Sequence, residues 1–266
     1  MNNVKVDYIS DLHLCFYLKA RENGFDKREL KQFVDEKILP KVNGEILVVA
    51  GDICEFSDSV VDFLNFCSDY YKMVYFVAGN HEYYLSRLMF RTMYEIYNAD
   101  SIKKLKDIKE KISQNPKLVF LDSLNGGISE YSGFKIAGDT LWYLPSGISD
   151  WAFYYLDSND SRLILTEDTK KEKIEKLHES SMLWYERLGN DMDLIVTHTP
   201  PLKIKGLKER NNSCYYTKLN EFKAKTWIYG HNHETADFTL NGTHFYSNPW
   251  GYKSKDFPVK TLTLKK

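Results

Sequence analysis

Five apolar runs in this sequence stop in the same way: a strand-length segment rich in Val, Ile, Phe and Tyr gives out, and a metal-ligating type of residue stands at its end. "VKVDYIS" leads into Asp11 and His13, "EILVVAG" into Asp52, and "MVYFVAG" into Asn80 and His81. "DLIVTH" ends on His198, and "KTWIYG" leads into His231 and His233. Of the histidines, only His178 and His244 lie away from such an ending. Ligand-binding residues of α/β sheets collect at the carboxyl edge, where strand ends converge on a crevice. The repeated ending therefore calls for a fold that brings five strand ends together.

Further strand-like runs are "KLVFLD" (117–122), "FKIAGDTLW" (134–142), "ADFTL" (236–240), "THFYS" (243–247) and "VKTLTL" (259–264). Helical periodicity covers 26–39, 59–71, 84–97, 101–113 and 167–188. The first half alternates strand and helix as parallel βαβ units do, whereas the C-terminal part runs strand to strand through Asn241-Gly242, a hairpin signal. Two sheets packed face to face with helices outside would account for both. No stretch reads as a linker or a repeat, so one α/β domain over residues 1–266 is expected. The lysine-rich segments 101–111 and 169–179 read as solvated helix faces. Residues 143–162, aromatic and poorly periodic, read as an irregular loop bordering a functional site.

Lys plus Arg total 36 against 37 for Asp plus Glu, which gives no strong case for binding duplex nucleic acid. No apolar run approaches the ~18 residues of a membrane span, and the first strand begins without a leader pattern. A cytoplasmic protein with no membrane partner is expected, with Cys15, Cys54, Cys67 and Cys214 reduced and mostly buried. The oligomeric state is left open.

Asp11 and His13 are separated by one residue, as are His231 and His233, so in extended geometry each pair leaves one face of its strand. Two aspartates, an asparagine and four or more histidines suit two divalent transition ions. A single zinc needs only three or four such groups, whereas two ions about 3.5–4 Å apart would use them all. Gly51, Gly79 and Gly230 each precede a ligand-type residue, at points where a Cβ would obstruct or φ turns positive.

The blocks "DLH", "GD", "GNHE", "TH" and "GHNH", in this order and spacing, resemble the calcineurin-like metallophosphoesterase superfamily over Asp11 to His233. "TLWY" (140–143) and "SNPWGY" (247–252) resemble a bacterial and phage branch of small cytoplasmic members, with Trp250 where that branch often has an arginine. The resemblance implies a two-sheet αββα sandwich. It implies that Asp11, His13 and His233 hold one divalent ion, that Asn80, His198 and His231 hold another, and that Asp52 bridges them. Mn2+ is the expected metal, with Fe, Zn or Ni as alternatives. His81 is implied to stand over the substrate as the catalytic residue, with Glu82 a candidate to orient it. The reaction implied is hydrolysis of a phosphodiester or phosphomonoester by a metal-activated hydroxide.

The expected substrate is small or nucleotide-like. Asn80 and His81 would contact its phosphate, and Trp142 and Trp250, with Tyr143, Trp151, Phe153 and Tyr154, would offer rings for a base. A phosphoprotein Ser/Thr phosphatase is disfavoured because residues 51–60 contain no phosphate-gripping arginine, and a nuclease because only closing strands follow His233. A non-catalytic metal-binding scaffold would have lost some of these residues, yet all eight positions are filled.

Overall fold

Alternate residues of the strands face opposite layers, and this period of two builds the core. The structure, a computed structural model, describes residues 2–85, 91–123, 126–203 and 212–266. Its first half runs β1 (Asn3–Ile9), α1 (Lys27–Lys37), β2 (Ile46–Val49), α2 (Ser57–Ser68), β3 (Met73–Phe76), α3 (Asn80–Tyr83), α4 (Arg91–Ile96), α5 (Ser101–Ser113) and β4 (Leu118–Phe120). There follow β5 (Ile128–Tyr131), β6 (Phe134–Asp139), α6 (Gly147–Leu156), α7 (Asn159–Leu163), α8 (Lys170–Arg187) and β7 (Met192–Thr197). The chain closes with β8 (Ala224–Tyr229), β9 (Ala236–Leu240), β10 (Thr243–Ser247) and β11 (Lys260–Lys265).

One sheet has the order β11-β1-β2-β3-β4 and the other β5-β6-β7-β8-β10-β9. Neighbours in the middle of each sheet are parallel, while β11, β5 and β9 are antiparallel edge strands. Val4, Val6, Ile46 and Val48 of the first sheet meet Ile136, Leu194, Val196 and Ile228 of the second in a layer between the sheets. Their sequence neighbours Ile9, Leu47, Val49, Val74 and Phe76 face α1, α2 and α5, and Ile195, Trp227 and Tyr229 face α8 through Trp184 and Tyr185. The architecture is the expected αββα sandwich. The hairpin at Asn241-Gly242 is also present, with both residues at positive φ and β9 paired in register with β10.

Helix starts follow side-chain caps: Asp26 accepts from the first turn of α1 and Asp100 from that of α5. Thr169 and Glu172 form a reciprocal capping box that starts α8 at Lys170, three residues later than the periodicity suggested. Part of the helix expected over 84–97 lies outside the described residues.

Two expectations fail. The stretch 143–162 is irregular only at 143–146 and 157–158; the rest is α6 and most of α7. Aromatic residues crowd α6 on several sides, which hides its period from the sequence. The lysine-rich helices are not uniformly solvated either. Lys104 is fully buried and donates to the Tyr84 carbonyl, and Lys173 is buried and donates to the carbonyls of Asp160, Ser161 and Ile164, closing the end of α7. Burial lowers both ammonium groups to about 8.

Candidate metal centre

The expected residues meet at one end of the sandwich, where the strands β1, β2, β3, β7 and β8 stop. They do not continue those strands. Asp11, His13, Asp52, His231 and His233 have φ of 51°, 44°, 57°, 70° and 55°, so the two Asp-His and His-His pairs leave left-handed turns and not the extended faces expected from their spacing. Such a backbone costs an L-residue roughly 1 kcal/mol or more and persists only when its surroundings hold it. Here adjacent strand ends brace one another: Asp11 N–H donates to the Gly51 carbonyl, His13 N–H to that of Asp52, and Gly230 N–H to that of His198. Asp11 Oδ1 also accepts the His231 N–H at 2.8 Å.

Close approach explains two of the glycines. A Cβ on Gly51, itself at φ +85°, would lie 2.5 Å from His198 Nδ1, and one on Gly79 would lie 2.1 Å from Asp52 Oδ1. The latter position has an ordinary φ, so contact and not backbone freedom selects glycine there.

Asp11, His13 and His233 present ligand atoms within 4.8 Å of one another, as do Asp11, Asp52 and His198, and His13, Asp52 and His81. His13 Nε2 and His233 Nε2 are 2.9 Å apart. On the other side, Asn80 Oδ1 is 3.0 Å from His198 Nε2 and 3.3 Å from His231 Nδ1. Asp52 Oδ2 lies between the groups, 3.7 Å from His13 Nε2 and 3.4 Å from His198 Nε2. Asp11, His13, Asp52 and His198 are all at most 2 % exposed.

This donor set fits cations. His198 Nδ1 is 2.8 Å from the Ala50 carbonyl and His231 Nε2 is 3.1 Å from that of Cys214. A carbonyl only accepts, so each of those nitrogens carries the proton, and the opposite nitrogen of each ring offers a lone pair to the centre. Those lone pairs and the amide oxygen face one another, an arrangement that needs positive charge in the middle. Burial opposes the His198 imidazolium, yet Asp52, Asp11 and the Ala50 carbonyl lift the group to about 10. His13, buried and beside His81, is held neutral at about 3.

His81 sits at the edge of this cluster with its side chain 12 % exposed, and its Nδ1 is 2.6 Å from Glu55 Oε1. Burial works against both charges, but Asp52 and Glu55 raise His81 to about 9, and the His81 hydrogen bond lowers Glu55 to about 2. Glu55, and not Glu82, is therefore what orients the imidazole. Glu82 faces the other way. Fully buried, it accepts the N–H groups of Asp52 (2.9 Å), Ile53 (2.8 Å) and Gly79 (2.7 Å), with Cys54 at 3.3 Å, tying the turn after β2 to the turn after β3. Glu82→Ala will leave these donors without a partner and destabilise the fold by on the order of 3 kcal/mol, read as a lowered denaturation midpoint of the metal-free protein.

A cleft of about 270 Å³ opens over the cluster, with Asn80, His81, His231 and His233 at its base and Tyr84, Tyr143, Phe153, Tyr215 and Tyr252 among its walls. Trp142 and Trp250 do not line it. Trp142 is 2 % exposed and packs edge-on against Tyr83, while Trp250 lies between Phe33 and Phe257 with its indole N–H on the Pro258 carbonyl. Backbone bonds from Trp250 to Ser10 and from Gly251 to Asp11 turn the chain so that Tyr252 reaches the site, its ring 4.6 Å from His13 and 4.7 Å from His233. Glu55, Tyr84, Tyr215 and Tyr252 escaped the sequence reading. Only Glu55 had a local signal, as an acid three residues past Asp52.

The chain belongs to the calcineurin-like phosphoesterase family, a dinuclear-metal-dependent family whose profile matches residues 4–235, and is a metal-dependent phosphoester hydrolase. It is 26 % identical over 272 residues to the uncharacterized protein L509 of Acanthamoeba polyphaga mimivirus, a match covering 92 % of this chain and 90 % of the relative. Its fold is shared with a phosphopantetheinyl hydrolase (PptH) from Mycobacterium tuberculosis, with a TM-score of 0.65, 18 % identity, and coverage of 97 % of this chain and 95 % of that one. The calcineurin-like phosphoesterase YfkN from Bacillus subtilis aligns with a TM-score of 0.43 and 13 % identity over 98 % of this chain and 89 % of its own.

Proposed function

We propose that Asp11, His13 and His233 hold one divalent ion and Asn80, His198 and His231 a second, that Asp52 bridges them, and that the chain hydrolyses a small, nucleotide-like phosphoester. The observation that carries this reading is the position of the Asp52 carboxylate between the two donor groups, with His81 beside it at the mouth. Two ions held there would neutralise phosphoryl oxygens and lower the pKa of water near them.

The chain's own groups supply the rest. Glu55 takes the Nδ1–H of His81, which fixes the ring and leaves Nε2, 3.9 Å from Asp52 Oδ2, to bond a phosphoryl oxygen or protonate the departing alkoxide. Tyr84, Tyr143, Phe153, Tyr215 and Tyr252 surround the space where the organic group would lie, and their rings suit a base or another planar group. We take Mn2+ as the metal pair and residues 1–266 as a single domain, since the site draws on turns from Asp11 to His233 and β11 closes against β1. No helix among the described residues is long and apolar enough to cross a membrane. The free cysteines, all but Cys15 buried, support a cytoplasmic location.

The direct test assays a chromogenic phosphomonoester beside a diester, with protein stripped by chelator and then reloaded. Hydrolysis is expected to vanish on stripping and return with Mn2+. Two bound ions with no hydrolysis of either ester would favour a scaffold. A panel of nucleotides, cyclic nucleotides, phosphopeptides and a phosphopantetheinyl ester then separates substrate classes. Glu55→Gln will keep both ions and lower kcat about 10- to 100-fold, because the ring it holds loses its charged partner. An unchanged kcat would remove Glu55 from the mechanism.

A further inference from the structure

Asp160 stands at the start of α7, 4 % exposed, beside the cleft. Its Oδ1 accepts the Asn80 Nδ2–H at 2.9 Å and the Tyr84 hydroxyl at 2.5 Å, and its Oδ2 accepts the Tyr143 hydroxyl. Because the Tyr84 O–H is committed to this carboxylate, the Tyr84 oxygen is left to accept from Asn80 Nδ2, 2.7 Å away. The outer edge of the Asn80 amide thus meets only acceptors.

An amide's two ends are nearly identical in shape and opposite in chemistry. Acceptors outside require the NH2 to point outward and Oδ1 inward, to its place beside His198 and His231. A flipped amide would aim N–H groups at a cation. The same carboxylate steadies Tyr143, whose ring stacks on His231 with centroids 6.1 Å apart and planes 25° apart. Asp160 is itself anchored, its N–H on Ser158 Oγ and its carbonyl on Lys173 Nζ from α8.

We propose that Asp160 is a positioning residue for the second ion: it locks the Asn80 amide oxygen toward that ion and, through Tyr143, sets the plane of His231. It is not one of the proposed metal ligands itself. The inference rests on the assignment of Asn80 to the second ion made above.

The test titrates metal-stripped wild type, Asp160→Asn and Asn80→Ala with Mn2+, counting bound ions per chain by elemental analysis and following free Mn2+ by electron paramagnetic resonance. Wild type is expected to take two ions. Asp160→Asn should keep the first and bind the second about 10- to 100-fold more weakly. A carboxylate that only supports the fold would lower the metal-free melting temperature and leave second-ion affinity unchanged, which would overturn the proposal. Asn80→Ala separates the two levels of failure: if it too binds both ions as wild type does, the assignment of Asn80 falls first. Should Asp160→Asn not fold, Tyr84→Phe keeps the ring and removes the hydroxyl between Asp160 and Asn80. Its second-ion affinity should drop severalfold, and wild-type affinity there would count against the lock.

Discussion

Asp52→Ala will leave a protein that retains fewer than two metal ions per chain after dialysis and turns over at least about 10³-fold more slowly, beyond the scale on which a single electrostatic stabiliser usually acts. The size follows from its position. Asp52 Oδ2 lies within 3.4 to 3.9 Å of His198, His13 and His81, so removing it takes a donor from both of the proposed metal groups at once. Its Oδ1 accepts the His81 N–H at 2.9 Å, so the same substitution frees the backbone that carries His81. Burial disfavours the Asp52 charge, but the surrounding histidines hold its carboxyl well below the usual range, which keeps it an anion wherever metal is offered. Glu82 still clasps the N–H groups of Ile53 and Gly79, so the turn stays folded and the loss reads on metal content. Asp52→Asn, which keeps a neutral oxygen, should fall between wild type and Asp52→Ala. Two tightly bound ions in Asp52→Ala, measured by elemental analysis, would refute the bridging role.

What could be read from the sequence was what depends on local signals. A strand-length apolar run ending in a metal-ligating type of residue, in three of the five cases just after a glycine, is visible within a few residues, and all five such endings converge. Asn241-Gly242 is equally local. The route of the chain past each strand end was not visible, because left-handed φ at Asp11, His13, His231 and His233 is imposed by bonds between different strands. Partners supplied from afar were invisible for the same reason: Glu55 reaches His81 across 26 residues, and Asp160 reaches Asn80 across 80. The tryptophans misled because large rings fill cores as readily as they line clefts. Trp142 and Trp250 do the former, while tyrosines, with a polar tip for the wet side, line the latter.

His81→Ala should separate chemistry from metal binding, with kcat reduced about 10²- to 10⁴-fold, the range of a lost general acid or phosphoryl donor, while both ions stay bound. The proposed role rests on where the imidazole stands. Glu55 occupies Nδ1, and Nε2 lies 3.9 Å from Asp52 Oδ2, farther out than His13 or His198. The ring also packs against Tyr84 and His13, so alanine removes contacts as well as a proton donor. His81→Asn, which keeps a donor in a smaller side chain, controls for that loss. If the role is proton transfer to the leaving oxygen, the penalty in His81→Ala should shrink for esters whose alcohol leaves readily as an anion, and stay large for alkyl esters. A penalty equal across leaving groups would assign His81 to the phosphoryl oxygen instead. Wild-type kcat on every ester hydrolysed would remove it from the mechanism altogether.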